Sequence, residues 1–307
     1  MFSYRHGFHA GNHADLLKHL VLVHILQYFN QKEVPYWFID LHAGAGLYDL
    51  QGDWAQKNGE FTSGIGKLWE TKKACPPMVE AYLEVIRSLN PDGELRLYPG
   101  SPWIALEACR SQDKLRLFEM HPSEADILTM NLEQRGSQTL KQTTLYESDG
   151  FAGLKGHIPP PSRRAIVLID PSYEDKKDYR HVMDTVKDAM VRFPTGCYAI
   201  WCPQVQRREA QELPRQLERA GAKNWVYASL TVRKPAEDGL GLHGSGMFVI
   251  NPPWTLNAAL KESLPWLVKV LGQDARAGLH REPRHFGRGG QVGEGAKRCI
   301  VLRRFCG

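Results

Sequence analysis

The sequence of 307 residues contains few cysteines, and they are widely spaced. The six cysteines lie at positions 75, 109, 197, 202, 299 and 306, and no CxxC pair occurs. A zinc site built on cysteine and a disulfide framework both need closer and more regular spacing. We therefore expect reduced thiols, as in a cytoplasmic protein.

The sequence also lacks a long hydrophobic run. The apolar segment LVLVHIL, at residues 20–26, is too short to span a bilayer, and no small-residue cleavage site accompanies it. With 42% hydrophobic residues the chain can nevertheless bury a large core. The length fits either one α/β domain with an insertion or two smaller domains, without a membrane anchor.

Most of the chain carries no excess of positive charge. The net charge is +5, but residues 276–307 contain seven arginines, one lysine and two glutamates, which leaves 31 basic and 32 acidic residues before them. Bulk charge therefore does not predict nucleic-acid binding, although a local basic patch could bind phosphates. The Arg- and Gly-rich tail, residues 273–307, is interpreted as disordered, with an accessory RNA-contacting arm as the alternative.

Seven short apolar runs predict β-strands separated by helical patterns. Most of them are continuous rather than alternating, which is typical of strands buried on both faces. Such an alternation of strands and helices predicts a mostly parallel sheet with helices on both sides. The last two runs are joined by a Gly-rich loop and predict an antiparallel hairpin at one edge. The predicted strands are 35–40, 114–119, 143–148, 165–170, 196–201, 223–232 and 245–250.

One segment does not fit a minimal α/β unit. Residues 47–99 separate the first strand's glycine turn from the next crossover helix and contain two helical patterns, one of which begins with proline. We interpret them as a helical insertion subdomain. The main domain is then predicted to comprise residues 1–46 and 100–272, including an N-terminal motif at 1–30.

Acidic residues follow four of the predicted strands, namely Asp40, Glu119, Asp149 and Asp170. Buried carboxylates of like charge need partners, which indicates a ligand that is rich in donors and positively charged. Glu119 could accept hydrogen bonds from both hydroxyls of a ribose, and Asp149 could accept one from an adenine amine. S-adenosylmethionine has this character, since it carries a sulfonium, an ammonium, ribose hydroxyls and an adenine amine.

Glycines accompany these carboxylates where a backbone must approach a ligand closely. Gly44 and Gly46 follow the first strand in DLHAGAG, and Gly150 follows Asp149. A nicotinamide-binding turn would need a third glycine at position 49, which is Asp49 here. The glycine turn alone is a weak signal, and a structural turn is an equally simple interpretation of it.

The string DPSY, at residues 170–173, resembles the (D/N/S)PP(Y/F/W) signature of methyltransferases that act on exocyclic amines. The N6 lone pair of adenine is delocalised into the ring, so the amine is a poor nucleophile. If Asp170 and the carbonyl of Pro171 accepted its two N–H bonds, a pyramidal nitrogen would be favoured. Tyr173 would offer a face on which an extruded base could stack.

Several longer strings together resemble the bacterial 23S rRNA adenine-N6-methyltransferase family. They are MFSYRHGFHAGNHADLLKH, DLHAGAG, YPGSPWIA, LFEMHPSE, SDGF, LIDPSYE and SGMFVINPPW, in order over about residues 1–272. The resemblance implies a Rossmann-like class I methyltransferase fold with an inserted helical subdomain. It also implies methylation of a single adenine of 23S rRNA, at position 2030 in the customary numbering of that RNA, and an obligate protein partner is not implied.

The resemblance also implies functional residues at the matching positions. It implies that Asp170 is the catalytic group and that Tyr4 contacts the RNA. Lys18 in the same N-terminal motif is a further candidate contact. The implied cofactor contacts are His19, His42, Ser101, Glu119, Asp149, Gly150 and Asp170. Of these, Glu119, Asp149, Gly150 and Asp170 are also predicted from the residues themselves.

This chain departs from the family pattern in two places. The family has proline where this chain has Ser172, and a serine relaxes the restraint that proline imposes on itself and on its predecessor. The Arg-rich tail past about residue 272 has no match in the family pattern.

Four alternatives remain open from the sequence. NPPW, at 251–254, matches the amine-methyltransferase signature more closely than DPSY but follows the last strand. A DNA adenine methyltransferase would carry a similar turn. The histidines at positions 6, 9, 13 and 19 could serve a metal-dependent hydrolase, although HExxH is absent and we predict no metal. A non-catalytic RNA-binding protein would use the tail.

Overall fold

The computed structural model describes residues 5–284, and its central feature is an eight-stranded sheet. The strands are β1 (Trp37–Asp40), β2 (Leu47–Asp49), β3 (Leu97–Pro99), β4 (Lys114–Phe118), β5 (Thr143–Tyr146), β6 (Ala165–Ile169), β7 (Cys197–Gln204), β8 (Trp225–Thr231), β9 (Gly244–Ile250) and β10 (Gly278–Arg284). The order across the large sheet is β10-β8-β9-β7-β6-β1-β4-β5, and β2 pairs with β3 in a separate ribbon. Tyr4, the predicted RNA contact, lies outside the described residues.

Helices cover both faces of the sheet. They are α1 (His13–Phe29), α2 (Asp53–Asn58), α3 (Glu60–Ser63), α4 (Ile65–Glu70), α5 (Pro77–Leu89), α6 (Ser101–Ala108), α7 (Pro122–Arg135), α8 (Ser137–Gln142), α9 (Gly150–Gly153), α10 (Lys177–Arg192), α11 (Arg208–Glu218) and α12 (Leu256–Leu271). Within residues 5–284, no helix is long and apolar enough to cross a membrane.

The strand directions confirm the predicted α/β fold of the class I methyltransferase type. Strands β5, β4, β1, β6 and β7 are parallel to one another, because helical crossovers connect them. Strand β9 lies antiparallel between β7 and β8. The predicted antiparallel pair is therefore present, but it does not form the edge of the sheet.

The edge of the sheet next to β8 is formed by β10, a strand that was not predicted from the sequence. Residues 278–284 pair antiparallel with β8 over the whole length of that strand. The prediction of a disordered tail from residue 273 is therefore wrong for these residues. Its low hydrophobicity reflects an edge position, where one side of the strand needs no partner and even proline is tolerated. The rest of the tail, 285–307, lies outside the described residues.

Helix α1 is buried on nearly all sides. Its N-terminus is capped by Asn12, whose Oδ1 accepts hydrogen bonds from the N–H groups of Ala14 and Asp15 at 2.9 and 3.1 Å. Thirteen of its 17 residues are buried, because it packs against the sheet and against α5, α6 and α12. A helix in this position can direct polar residues inward only if they find partners.

The segment 47–99 contains α2 to α5 between the two strands of the β2–β3 ribbon. Proline stands at the first position of α5, where its missing N–H has no cost. The apolar face of α5, with Val79, Tyr82 and Ile86, joins the same hydrophobic cluster as Leu16 and Leu20 of α1. The inserted helices therefore share the core of the main domain.

Candidate active site

A cavity of about 940 Å³ opens where the parallel strands end. Ligands of open α/β sheets bind at this edge, outside the carboxyl ends of the strands. The fold brings together here the predicted catalytic and cofactor-binding residues that the structure describes. The cavity is lined by Lys18, His19, His42, Gly44, Ser101, Glu119, Asp149, Gly150, Asp170, Pro171 and Tyr173, among others.

Asp170 forms an ion pair with a lysine from the buried helix α1. The Lys18 Nζ lies 2.5 Å from Asp170 Oδ2 and 2.9 Å from Asp15 Oδ1. Burial alone would lower the pKa of Lys18, but the two carboxylates raise it overall, so the lysine stays charged. Burial raises the pKa of Asp170, and Lys18 offsets part of that effect.

Asp15 is a second buried carboxylate of this network. It lies three residues before Lys18 on the same face of α1, and its Oδ2 is 2.9 Å from His6 Nε2. Burial would raise the pKa of Asp15, but His6, Lys18 and His19 together hold it well below the usual range. Asp15 was not predicted, and only its spacing from Lys18 in the sequence connects the two residues.

His19 is fully buried one position beyond Lys18 and is held by tyrosines. Its Nδ1 is 2.8 Å from the hydroxyl of Tyr98, which in turn is 2.9 Å from that of Tyr82. Burial holds the pKa of His19 well below its usual range, so the ring is neutral. Its Nε2 has no hydrogen-bond partner in the described part of the chain, which leaves one ring nitrogen for a ligand.

Asp40 does not line the cavity but supports Ser101, which does. The Ser101 hydroxyl donates to Asp40 Oδ2 at 2.6 Å, and the His42 N–H donates to Oδ1 at 3.1 Å. Burial raises the pKa of Asp40 to about 6. Of the four acidic residues at strand ends, Asp40 therefore lies beneath the cavity wall and positions Ser101.

His42 contacts the turn that carries Asp170. The N–H of Asp170 points to His42 Nδ1 at 3.4 Å, and the ring of Phe151 packs on the imidazole with centroids 4.8 Å apart. Burial and the charge of Lys18 lower the pKa of His42 to about 3. The imidazole is therefore neutral and accepts at Nδ1, which fixes the turn.

Glu119 is positioned by two backbone donors. Gly44 N–H donates to its Oε2 and His121 N–H to its Oε1, each at 2.7 Å. Gly44 adopts φ +62°, and a Cβ there would come within 2.5 Å of the Tyr48 hydroxyl. The glycine turn after β1 and Glu119 thus form one wall of the cavity. Each carboxylate oxygen of Glu119 keeps one lone pair for a further hydrogen bond.

Asp149 and Gly150 form the adjoining wall. Asp149 is exposed at the start of α9 and accepts from the Phe151 N–H at 2.9 Å. A Cβ at position 150 would lie 2.3 Å from the carbonyl oxygen of Leu41. Only glycine allows the two loops to approach so closely.

Tyr173 is in a different environment from the one predicted. Its ring is only 3% exposed and packs against Tyr179 and Trp201, and its hydroxyl donates to the Trp201 carbonyl at 2.7 Å. Its backbone has φ 54°, and Arg207 Nη1 donates to its carbonyl at 2.9 Å. An open ring face for base stacking is absent from this structure, so Tyr173 here stabilises the turn after β6.

The NPPW turn lies at the opposite edge of the sheet. It follows β9, which runs antiparallel to β7, so that Ile250 aligns with Tyr198 at the beginning of β7. The Asn251 amide donates to the carbonyls of Pro194 and Gly196 at 2.8 Å each. Asn251 is thus a structural residue, and the direction of the strand excludes it from the cavity.

Two of the histidines near the N-terminus pair with carboxylates. His6 contacts Asp15, and His9 Nδ1 lies 3.0 Å from Glu60. Over the described range, the histidine, cysteine, aspartate and glutamate side chains do not gather into a set that could hold a metal ion. The geometry therefore gives no support to a metal-dependent hydrolase.

One further residue of the cavity carried no signal in the sequence. Glu124, in the first turn of α7, is 4% exposed and lines the cavity. Neither of its carboxylate oxygens has a hydrogen-bond partner among residues 5–284. Within LFEMHPSE, only the strand-terminal Glu119 was predicted.

Comparison with known proteins agrees with this geometry. A family described as "Ribosomal RNA large subunit methyltransferase D, RlmJ" matches residues 33–282. The protein named Ribosomal RNA large subunit methyltransferase J from Haemophilus influenzae is 44% identical over 272 residues, which cover 88% of this chain and 94% of that protein. Its namesake from Escherichia coli is 42% identical over 271 residues, with the same coverage of both chains.

A solved crystal structure has the same fold. The protein is from Legionella pneumophila and superposes with a TM-score of 0.81 at 32% sequence identity, over 90% of this chain and 98% of that one. The predicted cofactor, S-adenosylmethionine, is the methyl donor of such a family. The chain belongs to the RlmJ family of ribosomal RNA large subunit methyltransferases.

Proposed function

We propose that the protein methylates N6 of a single adenine in 23S rRNA, the adenine implied by the sequence resemblance. The observation that carries this proposal is the position of Asp170, at the cavity end of β6 and in an ion pair with Lys18. A charged acceptor at this point suits an exocyclic amine, which offers two N–H donors and no positive charge.

The residues of the cavity suit S-adenosylmethionine as well. Carboxylates outnumber Lys18, Arg207 and Arg233 along the cavity, so its wall carries excess negative charge that a sulfonium and an ammonium would balance. When bound, the cofactor supplies an electrophilic methyl group. Ser101, His19 and His42 supply a hydroxyl and two neutral rings beside it. Gly44 and Gly150 allow close backbone approach.

In the proposed mechanism, Asp170 and the carbonyl of Pro171 accept the two N–H bonds of the adenine amine. This contact favours a pyramidal nitrogen whose lone pair points into the cavity. Lys18 favours the ionised form of Asp170 and offsets part of the effect of burial, which raises its pKa. The surplus proton of the methylated amine then passes to Asp170 or to water, and no covalent enzyme intermediate is required.

Tyr173 retains a proposed role in holding the base. Stacking would require its ring to leave the packed position against Tyr179 and Trp201. In the described position it instead fixes the turn that presents Asp170 and Pro171, because its hydroxyl and carbonyl are both bonded. Tyr4, outside the described residues, remains a proposed RNA contact.

The substrate is tested by incubating the protein and labelled S-adenosylmethionine with unmodified 23S rRNA, 16S rRNA and duplex DNA. We expect label in 23S rRNA alone, at one adenine that mapping then identifies. Label in DNA alone would refute the proposed substrate and favour a DNA adenine methyltransferase. RNA binding without any transfer of label would favour a non-catalytic RNA-binding protein.

A further inference from the structure

Glu124 is a buried carboxylate for which the described part of the protein offers no hydrogen-bond partner. It is 4% exposed, and neither Oε1 nor Oε2 has a hydrogen bond within residues 5–284. Leaving a buried acceptor unsatisfied costs free energy, more so if it is charged. Such a group in a cavity wall indicates a ligand that supplies the missing donor.

The surrounding structure holds Glu124 toward the cavity. Its N–H donates to the carbonyl of His121, so it belongs to the first turn of α7. The next turns of this helix pack on the glycine turn: Leu128 contacts Gly46, and the Asn131 amide donates to the Ala45 carbonyl at 2.8 Å. The helix is thus fixed against the wall that contains Glu119.

Glu119 and Glu124 offer complementary hydrogen-bonding capacity. Each oxygen of Glu119 already accepts one backbone N–H and has one lone pair left, whereas Glu124 has its full capacity. Burial, followed by the charge of Glu119, raises the pKa of Glu124. The charges of the two carboxyl groups therefore affect each other, and both residues line the same cavity.

The charges around Glu124 define the kind of donor that fits. His6, His121 and Arg5 all act on its carboxylate, and the two histidines line the cavity. A cationic ligand group would be repelled by these basic residues, whereas a neutral hydroxyl would not. Two neighbouring acceptors with a neutral donor between them suit the cis-diol of a ribose.

We propose that Glu124 accepts a hydrogen bond from one ribose hydroxyl of the bound cofactor, while Glu119 accepts from the other. This inference rests on the proposed function, since it assumes that the nucleoside cofactor occupies the cavity. Glu124 is then a binding residue that pairs with a single hydroxyl. Its loss should weaken the affinity for the nucleoside by about 10- to 100-fold, as expected for one hydrogen bond to a carboxylate.

The test is calorimetry with S-adenosylhomocysteine and with its 2′-deoxy and 3′-deoxy analogues. We compare the parent protein with Glu124→Leu and Glu124→Gln. The parent should lose affinity for both deoxy analogues. In Glu124→Leu, affinity for the full nucleoside should fall, and removal of one of the two hydroxyls should cause no further loss. Glu124→Gln keeps an acceptor oxygen and should recover part of the affinity.

Two controls separate binding from folding. Glu133→Gln changes an exposed carboxylate on the same helix and should leave all three affinities unchanged. Thermal unfolding without nucleoside should show Glu124→Leu to be at least as stable as the parent, because the substitution removes an unsatisfied buried group. A less stable variant would mean that the carboxylate serves the fold instead, and would overturn the inference.

Other outcomes also overturn the inference. Unchanged affinity of Glu124→Leu for the full nucleoside would show that Glu124 does not contact the diol. The same conclusion would follow if removal of either hydroxyl weakened binding to Glu124→Leu as much as it weakens binding to the parent. Normal nucleoside affinity with impaired RNA methylation would assign the carboxylate to the RNA. Failure of the parent protein itself to bind S-adenosylhomocysteine would refute the proposed function as well, and is thereby distinguishable from failure at Glu124 alone.

Discussion

At the scale of single residues, Asp170 combines two demands that oppose each other. It must be buried to hold the amine in a dry site, and it must stay ionised to accept two N–H bonds. Burial raises its pKa, and Lys18 at 2.5 Å works in the opposite direction. The lysine is itself held by Asp15, so the charge of the acceptor depends on a residue far from the turn that carries it.

Replacement of Asp170 tests this assignment. We expect Asp170→Ala to lower the rate of methyl transfer to 23S rRNA by about 100-fold or more, since a preorganised acceptor at the reacting group is removed. The measurement is the initial rate with labelled S-adenosylmethionine. Asn251→Ala is the matched control, because Asn251 belongs to the similar turn at the opposite edge of the sheet and should leave the rate unchanged. Equal rates for Asp170→Ala and its parent would refute the role.

Ser172 is the one departure from the family pattern within the turn itself. Its side chain is exposed, and its hydroxyl accepts only a long contact of 3.4 Å from the Glu174 N–H. Proline at this position would restrict its own φ and the conformation of Pro171. We expect Ser172→Pro to raise the turnover rate in the same assay. An unchanged or lower rate would contradict this prediction.

The individual site residues differ in how far the sequence predicted them. Glu119, Asp149 and Asp170 were predictable because a carboxylate at the end of a buried strand lies at the ligand-binding edge of a parallel sheet. Lys18 and His19 rest on the family resemblance. Glu124 was not predicted, because a glutamate in the first turn of a helix is usually an ordinary exposed residue and only the packing of α7 buries it.

At the scale of elements, the direction of a strand decides which signature can be catalytic. The strings at 170–173 and 251–254 are similar in composition, but β6 ends at the cavity and β9 ends at the opposite edge. The parallel strands were predictable because their runs are continuous and apolar. The β2–β3 ribbon and β10 were missed because short or polar edge strands lack that pattern.

Strand β10 covers the otherwise open edge formed by β8. The pairing extends over seven residues, from Gly278 to Arg284, and Arg281 donates to the carbonyl and the side chain of Asn257 in α12. An uncovered edge presents free backbone groups that pair with other chains. We expect a chain truncated after residue 277 to self-associate, as measured by light scattering at increasing concentration.

A second truncation provides the control for this experiment. A chain that ends after residue 284 keeps β10 and lacks only the residues beyond it. It should scatter light like the full-length protein. Self-association of both truncated chains to the same extent would show that the protection does not come from β10.

At the scale of the whole molecule, the buried histidines His13, His19 and His42 oppose folding in acid. Burial lowers the pKa of His13 to about 4 and that of His42 to about 3, from ordinary values near 6.5. Below pH 6.5 the unfolded chain binds protons that the folded chain does not, so the free energy of unfolding falls as the pH is lowered toward 4. Asp40, with its pKa raised to about 6, acts in the opposite direction between about pH 6 and 3.8.

His19, whose pKa burial holds well below its usual range, acts with these histidines, whereas Asp170 and Glu124, whose pKa values burial raises, act with Asp40. Because the histidines of the unfolded chain bind protons from about pH 6.5 downward, before these carboxyl groups titrate, we expect net destabilisation as the pH falls from about 6.5 toward about 5. Each uncompensated proton contributes about 1.4 kcal/mol per pH unit. The measurement is urea unfolding over this range. His13→Gln should flatten the dependence, whereas His181→Gln, at an exposed position, should leave it as in the parent. If the free energy of unfolding depended on pH in His13→Gln as it does in the parent, His13 would be excluded as a source of the destabilisation in acid.

The ion pair between Lys18 and Asp170 joins residues separated by 152 positions in the chain. During synthesis from the N-terminus, α1 therefore emerges long before its acidic partner, and Lys18 has only Asp15 beside it until β6 has been made. A growing polypeptide that ends before residue 170 has neither the acceptor nor the turn that presents it. The capacity to modify RNA is thus confined to chains whose translation has passed the middle of the message.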